Sequence, residues 1–569
     1  MANSFSFATM KQMVGKLINH KSKTVLSAAF ILAITALLSR VLGLVRDRLL
    51  AGKFGAGDEL DIYFTAFRLP DLIYSIMIMG AISSALIPVF AQYFKKDEKD
   101  AWQLIGGLIS WCILILVVLS GILILFAPQI VSFIAPGFSD AKRDTTVALT
   151  RIMFLSPLLL GISSIFSGVL QYFRCFFIYS LAPIMYNLGI ILGIIFFVPK
   201  IGLIGLAWGV VLGALLHFLI QFPSAIYSGF KFNGFLKLHT GIGKIFKLTI
   251  PRTIGLAGAQ INYVVITAIA SSLAIGSIAV FNLANNLQYV PIGIIGISFS
   301  MAVFPRLAES SVEENKEKFS HDFSTVFNQI LYLVLPITVI FFVLRAQIVR
   351  IVLGTGQFGW ADTRITAAAL GIFAISVFAQ SLIPLISRAF YSLHNTRTPV
   401  SIGLISIGLN ILMSFGFVWI LNKQNIFSEL FSSIFKLEGI KNFAVLGLPL
   451  ALSLSSIFNF IFLMKAFNKK IKEYNVKSIL KSVFKIIISC ILMGTIVYGL
   501  LHAFDLFFDT KTFIGLFLQT GISGLIGIGI YFVISLWFKL PESMAVAKRF
   551  LFKNKKDKLE EIQPPELAK

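Results

Sequence analysis

The sequence predicts an all-α polytopic membrane protein of about 14 transmembrane helices, arranged as two six-helix lobes followed by two C-terminal helices. Composition points there first: of 569 residues 57% are hydrophobic and 13% charged, against roughly 45–50% apolar in soluble domains. Apolar runs long enough to cross a bilayer, at about 1.5 Å of rise per residue, come next. They centre on 24–44, 61–90, 104–126, 147–173, 176–198, 202–229, 248–273, 277–305, 323–345, 365–389, 399–421, 443–467, 482–504 and 513–537. The third observation is a repeat. IPVFAQYFKKDEK, APQIVSFIAPGF and QYFRCFFIYSLAPIMYN are answered by FPRLAESSVEENKEK, AQIVRIVLGTGQF and RAFYSLHNTRTPVSIG, so that Pro88 matches Pro305, Gln129 matches Gln347 and Pro183 matches Pro399 at an offset of about 216–218 residues. That offset spans six helices, an even number. The two halves therefore enter the membrane in the same sense, related by a pseudo-two-fold axis along the membrane normal.

Taken in order, residues 1–23 lack a short apolar core followed by a small-residue cleavage site, so the first span is expected to be retained. Residues 24–230 form the first lobe, 231–247 (KFNGFLKLHTGIGKIFK) a basic amphipathic linker suited to an anionic leaflet, and 248–470 the second lobe. Residues 471–540 are the two appended helices, expected to make a groove for a lipid tail, and 541–569 a basic tail. Lys and Arg cluster in the N-terminal segment, in KKDEK, the linker, RLAESSVEENKEK, KAFNKKIKEYNVK and the tail, all on one side if the spans alternate. The positive-inside rule makes that side cytoplasmic and puts both termini there. The net charge of +23 is thus topology rather than a nucleic-acid footprint.

Charges inside apolar runs need a reason, since one near the bilayer centre costs roughly 2.5–3.5 kcal/mol on insertion scales. Arg40, Arg46, Asp47, Arg48, Asp61, Arg68 and Asp71 lie in or beside the first two spans. At about 100° per residue Arg40, Gly43 and Asp47 share one helical stripe, and Asp61 and Arg68 another. Two helices then offer polar stripes to one interior. Arg46 and Arg48 have the alternative of snorkelling to headgroups, and Arg40 that of a structural pair with Asp47. Asn262, Asn282, Asn285, Asn286 and Gln288 could line the second lobe's side of the cavity or bond between helices. His217, alone on an apolar helix, reads as a packing residue. Prolines 70, 157, 183, 251, 291, 336 and 384 read as kinks or hinges, and Gly205, Gly209 and Gly213 as a close-packing stripe.

The stretch SRVLGLVRDRLLAGKFGAGDELDIYFTAFRLPDL, with LAPIMYNLGII, GLAWGVVLGALLHFLIQFP and RAFYSLHNTRTPV, resembles the MurJ/MviN lipid II flippases of the multidrug/oligosaccharidyl-lipid/polysaccharide exporter superfamily. The likeness covers nearly the whole chain. It implies a transporter rather than an enzyme: a flippase moving the undecaprenyl-linked peptidoglycan precursor to the outer leaflet of the bacterial plasma membrane by alternating access, for cell-wall synthesis. Arg40, Arg46, Asp47 and Asp61 match the family's functional charges, and Arg68 sits where Lys is common. Two further cavity arginines of the family align with Tyr74 and Asn286, or with their neighbours Ser75 and Asn285, so those cations are absent here. Arg252 is the candidate to restore one.

Arginine suits the implied cargo, because its fork matches a diphosphate bidentately. The partners implied are lipid II, membrane lipids and cell-wall synthesis proteins, with no cofactor and a coupling ion or membrane potential left open. Cys112, Cys175 and Cys490 are scattered, and no metal-ligand spacing, Walker A, HExxH, GxSxG or EF-hand pattern occurs. The competing readings are a flippase of another lipid-linked oligosaccharide, a cation-coupled small-molecule exporter on the same fold, and a non-transporting scaffold. For topology, cysteines introduced at Lys11 and Lys556 should both be shielded from an impermeant external reagent in intact cells. External labelling of either would refute the both-ends-inside arrangement.

Overall fold

A computed structural model describes the backbone of residues 25–75, 82–233, 235–440, 442–471 and 476–551, and their side chains except at 25–30, 82–84, 248–256, 476–479 and 549–551. Lys11, Lys556 and the side chain of Arg252 lie outside the described residues. Every regular element among those described is helical.

The first lobe comprises α1 (Val25–Phe54), α2 (Asp58–Tyr74), α3 (Ile82–Phe94), α4 (Glu98–Leu125), α5 (Ala127–Ile134), α6 (Asp140–Met153), α7 (Leu155–Tyr172), α8 (Phe176–Leu192), α9 (Val198–Ile201) and α10 (Ile204–Tyr227). The second comprises α11 (Thr240–Ser271), α12 (Ser277–Pro291), α13 (Ser298–Val312), α14 (Lys316–Val343), α15 (Arg345–Val352), α16 (Trp360–Ala374), α17 (Val377–Ser392), α18 (Arg397–Leu421), α19 (Ile426–Phe435) and α20 (Gly447–Lys470). After it come α21 (Val476–Phe504), α22 (Phe513–Trp537) and α23 (Pro541–Leu551). The repeat recurs in the helices themselves: α4 and α14 are each 28 residues and are each followed by a helix of 8, α5 and α15.

Ten described helices are long and apolar enough to cross a membrane, or eleven with the pair α16 and α17, bent by 44°. That is fewer than the 14 spans read from the sequence. The other three of those spans fall on α1, on α2 with α3, and on α11, whose described residues are too charged, too short or too few to qualify alone. Within residues 231–247 the chain becomes helical at Thr240, where His239 accepts a hydrogen bond from the Gly241 amide. Helix starts elsewhere follow local chemistry: Asp97, Asn315 and Thr512 cap α4, α14 and α22 through side-chain oxygens that accept first-turn amides. Pro291 ends α12 at a π-helical stretch, Ile292–Ile297, which fits its lost amide donor.

Three apolar cores divide the work. One lies within the first lobe, among α3, α4, α7 and α10. A second joins the last helices of the second lobe to α21 and α22, where Tyr531 Oη donates to the Tyr332 carbonyl at 2.8 Å. The third runs between the lobes, from Leu50 and Leu60 to Ile278, Phe281 and Phe373. Closest approach is bought with glycine. A Cβ on Gly209 would sit 2.9 Å from the Gly193 Cα, and one on Gly213 would sit 2.5 Å from the Tyr186 carbonyl oxygen, so α10 and α8 touch backbone to backbone. Gly209→Leu should therefore destabilise the protein by about 1–3 kcal/mol or more, read as a lower melting temperature in detergent. Gly408→Leu, on an α18 face with nothing within 4 Å, should stay near wild type.

Candidate functional site

Between the lobes lies a cavity of about 470 Å³. The first lobe lines it with Arg40, Gly43, Leu44, Arg46, Asp47 and Leu50 of α1 and with Tyr63, Phe64, Phe67, Arg68 and Asp71 of α2. The second supplies Gln260 and Tyr263 of α11 and Asn282, Asn285, Asn286, Tyr289 and Val290 of α12. The charged lining is three arginines against two aspartates, and all five come from the first lobe; the second lobe contributes amides and phenols.

The arginines are held very differently. Arg46 closes its fork on Asp47 Oδ1, from Nε at 3.0 Å and Nη2 at 2.8 Å, while Nη1 donates to Asn187 at 3.1 Å. Asp47 is buried, and its Oδ2 accepts from the Asn286 amide at 3.0 Å. This gives a chain Asn187–Arg46–Asp47–Asn286 that crosses from one lobe to the other. Arg68 bridges the lobes as well, donating to Thr267 at 2.9 Å and Asn282 at 2.7 Å, with its guanidinium 5.4 Å from the Tyr263 ring. Arg40 has less: one donation at 3.4 Å to the Tyr289 carbonyl and that residue's ring at 5.6 Å. Among the described residues that carbonyl is its one hydrogen-bond acceptor, and the guanidinium also rests against Gly293, where an added Cβ would meet it.

Five sequence-derived candidates fall elsewhere. Asp61 is absent from the lining. Its carboxylate accepts the Gly276 amide at 2.8 Å and the Ala279 amide at 2.9 Å, capping α12 from the opposite lobe, with Lys142 at 3.3 Å. Tyr74 packs against the first lobe's core and does not line the cavity. Asn262 and Gln288 do not line it either; Gln288 donates to Asn285 at 2.9 Å and accepts from Gln380 at 3.2 Å. Arg48 does not snorkel. It donates to the carbonyls of Ile351 and Val352 at the C-terminal end of α15 and covers the Phe513 ring at 5.1 Å, a placement the helix dipole favours. The residues that sequence reasoning missed are Tyr63, Phe64, Phe67, Gln260, Tyr263 and Tyr289; Tyr289 lies three residues beyond Asn286, and that spacing was the available sign.

At the C-terminal end of α1 the cavity is closed by a seam in which main-chain amides donate to a carbonyl and to two side chains. The Gln357 amide donates to the Gly52 carbonyl at 2.9 Å, the Ala56 amide to Asp362 at 3.4 Å and the Gly137 amide to Ser271 at 3.2 Å. A Cβ on Gly276, whose φ is +83°, would strike the Ala56 carbonyl.

Comparison with known proteins follows from this geometry. The family model described as "Lipid II flippase MurJ" matches residues 50–518. A relative from Buchnera aphidicola subsp. Acyrthosiphon pisum, described as "Probable lipid II flippase MurJ", is 29% identical over 517 residues, covering 87% of this chain and 94% of the relative. Among solved structures, "Lipid II flippase MurJ, inward closed conformation" superposes with a TM-score of 0.70 at 24% identity, over 92% of this chain and 100% of that one. An inward-facing multidrug resistance MATE transporter of the MOP superfamily superposes with a TM-score of 0.61 at 13% identity, over 79% of this chain and 100% of that one. At such identities these two likenesses speak for a shared fold.

The cap on α12 can be tested against its neighbour. Asp61→Asn should lower stability by about 1–2 kcal/mol, because both amides lose a charged acceptor. Asp58→Asn should be near neutral, since the Asp58 side chain is 47% exposed in its pair with Lys142. Equal losses in thermal unfolding would refute the cap.

Proposed function

The chain belongs to the lipid II flippase MurJ family, and on that premise we propose that it carries lipid II across the bacterial plasma membrane, holding the diphosphate in the cavity between its lobes. The observation that supports this most is Arg40, a guanidinium in the cavity with a carbonyl and a ring for company. A diphosphate oxygen is the chemistry it fits. Arg46 and Arg68 add positive potential while held in place by their own partners, so the site is built before the cargo arrives. Asn286 supplies Asp47 with a hydrogen bond, which keeps the carboxylate satisfied without a second cation on that oxygen.

Alternating access then requires the seam at Gly52, Ala56 and Gly276 to part while the opposite end closes. With both termini in the cytoplasm, that seam faces outward and the cavity receives its cargo from within. We propose that a gradient or the membrane potential resets the cycle; one charge moved through 100 mV is worth about 2.3 kcal/mol. Docking to cell-wall synthesis proteins remains a secondary proposal. A cation-coupled exporter on this fold is disfavoured by the cavity's arginines, which would repel a cationic drug.

Replacement of Arg40 tests the reading. Activity should fall in the order Lys, Gln, Glu, with a loss of about tenfold to hundredfold in head-group affinity when the charge is removed, corresponding to roughly 1.5–3 kcal/mol. The competing structural pair with Asp47 finds no support in the contacts of Arg40, since Asp47 is occupied by Arg46 and Asn286. Arg40→Gln should therefore reach normal membrane levels without flipping, and Asp47→Asn should not rescue it. Depletion of the protein should make lipid II accumulate on the cytoplasmic face; accumulation of a different lipid-linked sugar would redirect the assignment.

A further inference from the structure

A second cavity, of about 440 Å³, opens on the outer surface of the first lobe, away from the arginines. Its lining is wholly apolar: Ile109 of α4, Ile162 and Phe166 of α7, Phe218, Phe222 and Ile226 of α10, and Phe230 and Phe232 just beyond. The rings brace one another, Phe166 lying 6.1 Å from Phe218, 5.9 Å from Phe222 and 5.1 Å from Phe230 between centroids. Such a frame does not collapse into the space it encloses. From Phe218 to Ile226 the pocket runs along about 12 Å of helix, and at its mouth Ile226 and Phe232 are exposed.

The mouth is ringed by the linker, and the linker is pinned. Gly106 has no side chain where the Asn233 carbonyl lies against α4, Lys237 donates to Gln103 at 2.5 Å, and His239 pairs with Asp100 at 3.1 Å. Residues 231–247 carry Lys231, Lys237, Lys244 and Lys247 with no acid among them, all four exposed. The neighbouring acids Asp97, Glu98 and Asp100 are matched in number by Lys95, Lys96 and Lys99. An unbalanced positive rim thus stands at the entrance of a dry, chain-wide slot, and exposed Phe235 and Leu238 project beside it.

We propose that this is a binding site for an anionic phospholipid of the cytoplasmic leaflet, with one acyl chain in the phenylalanine pocket and the phosphate among the linker lysines. The two halves of the site match the two halves of that molecule. Apolar walls accept hydrocarbon and no polar group, and a polybasic rim at headgroup height selects for negative charge. The occupant is a resident lipid rather than the cargo, whose diphosphate has its own arginines between the lobes. Bound there, it would fasten the linker to the first lobe at the point where the chain crosses to the second.

The test uses the full-length protein in nanodiscs containing a trace of phosphatidylglycerol with a diazirine near the end of one acyl chain. Crosslinks should map to the Phe218–Phe232 peptide, and unlabelled phosphatidylglycerol, but not phosphatidylcholine, should compete. Ile162→Trp, which fills the slot, should cut that labelling about tenfold while labelling of the α21 and α22 surfaces is unchanged; Ile226→Trp, which narrows the mouth, serves as a second blocking variant. Lys231→Gln, Lys237→Gln, Lys244→Gln and Lys247→Gln together should reduce labelling by about tenfold or more. Equal labelling by a phosphatidylcholine probe would overturn the proposal. So would a crosslink between two copies of the chain through this peptide, or labelling by an isoprenoid diphosphate probe that phosphatidylglycerol fails to displace.

Discussion

Asp47 accepts the Arg46 fork at 2.8 Å and 3.0 Å on one oxygen and the Asn286 amide at 3.0 Å on the other. Much else depends on this arrangement. A largely buried guanidinium and carboxylate are costly singly and tolerable together when their remaining donors and acceptors are met. Asn187 and Asn286 meet them here. Because those two amides belong to different lobes, the pair that makes the charges tolerable also ties the cavity wall together. Arg40 can remain under-engaged because its neighbours have settled their charges with one another.

The lobes are joined by two kinds of contact with different physical character. Around the cavity the links are side chains: Arg68 to Thr267 and Asn282, and Asp47 to Asn286. At the closed end main-chain amides are the donors, Asp61 receiving two from α12 and the Gly52 carbonyl one from Gln357, and glycines admit carbonyls where no Cβ could fit. The side-chain links can be remade with cargo or water as partner. The main-chain links demand registry, and registry is lost as a unit.

Much of the cavity was legible in the sequence because intramembrane charge is rare and helical spacing is simple arithmetic. Arg40 and Asp47, seven residues apart, do share a face, and Asn282, Asn285 and Asn286 do meet them. The same arithmetic misplaced Asp61. Its separation from Arg68 is also seven residues, but that is about 10 Å along the axis, enough to carry the carboxylate past the cavity's end to a helix terminus of the other lobe. Tyr74, six residues from Arg68, is turned about 240° around α2 and faces the first lobe's core. Of the aromatic lining only Tyr289 had a sign, its spacing from Asn286; Tyr263 carried none, since tyrosine is unremarkable in a membrane helix until a partner lobe shows which side of it faces the cavity. Of the spans not counted among the described residues, α1 is the one whose own sequence explains it, since Arg40, Arg46, Asp47 and Arg48 interrupt its apolar run.

The glycine seam bears on the manner of opening as well as on closure. The bond from the Gln357 amide to the Gly52 carbonyl joins neutral peptide groups, whereas the Ala56 amide is held by the Asp362 carboxylate and the Gly276 and Ala279 amides by that of Asp61. What resists parting is the exposure of amides, carbonyls and carboxylates that must find new partners at once. Opening this end therefore asks a set of charged and neutral acceptors to give up their amides together.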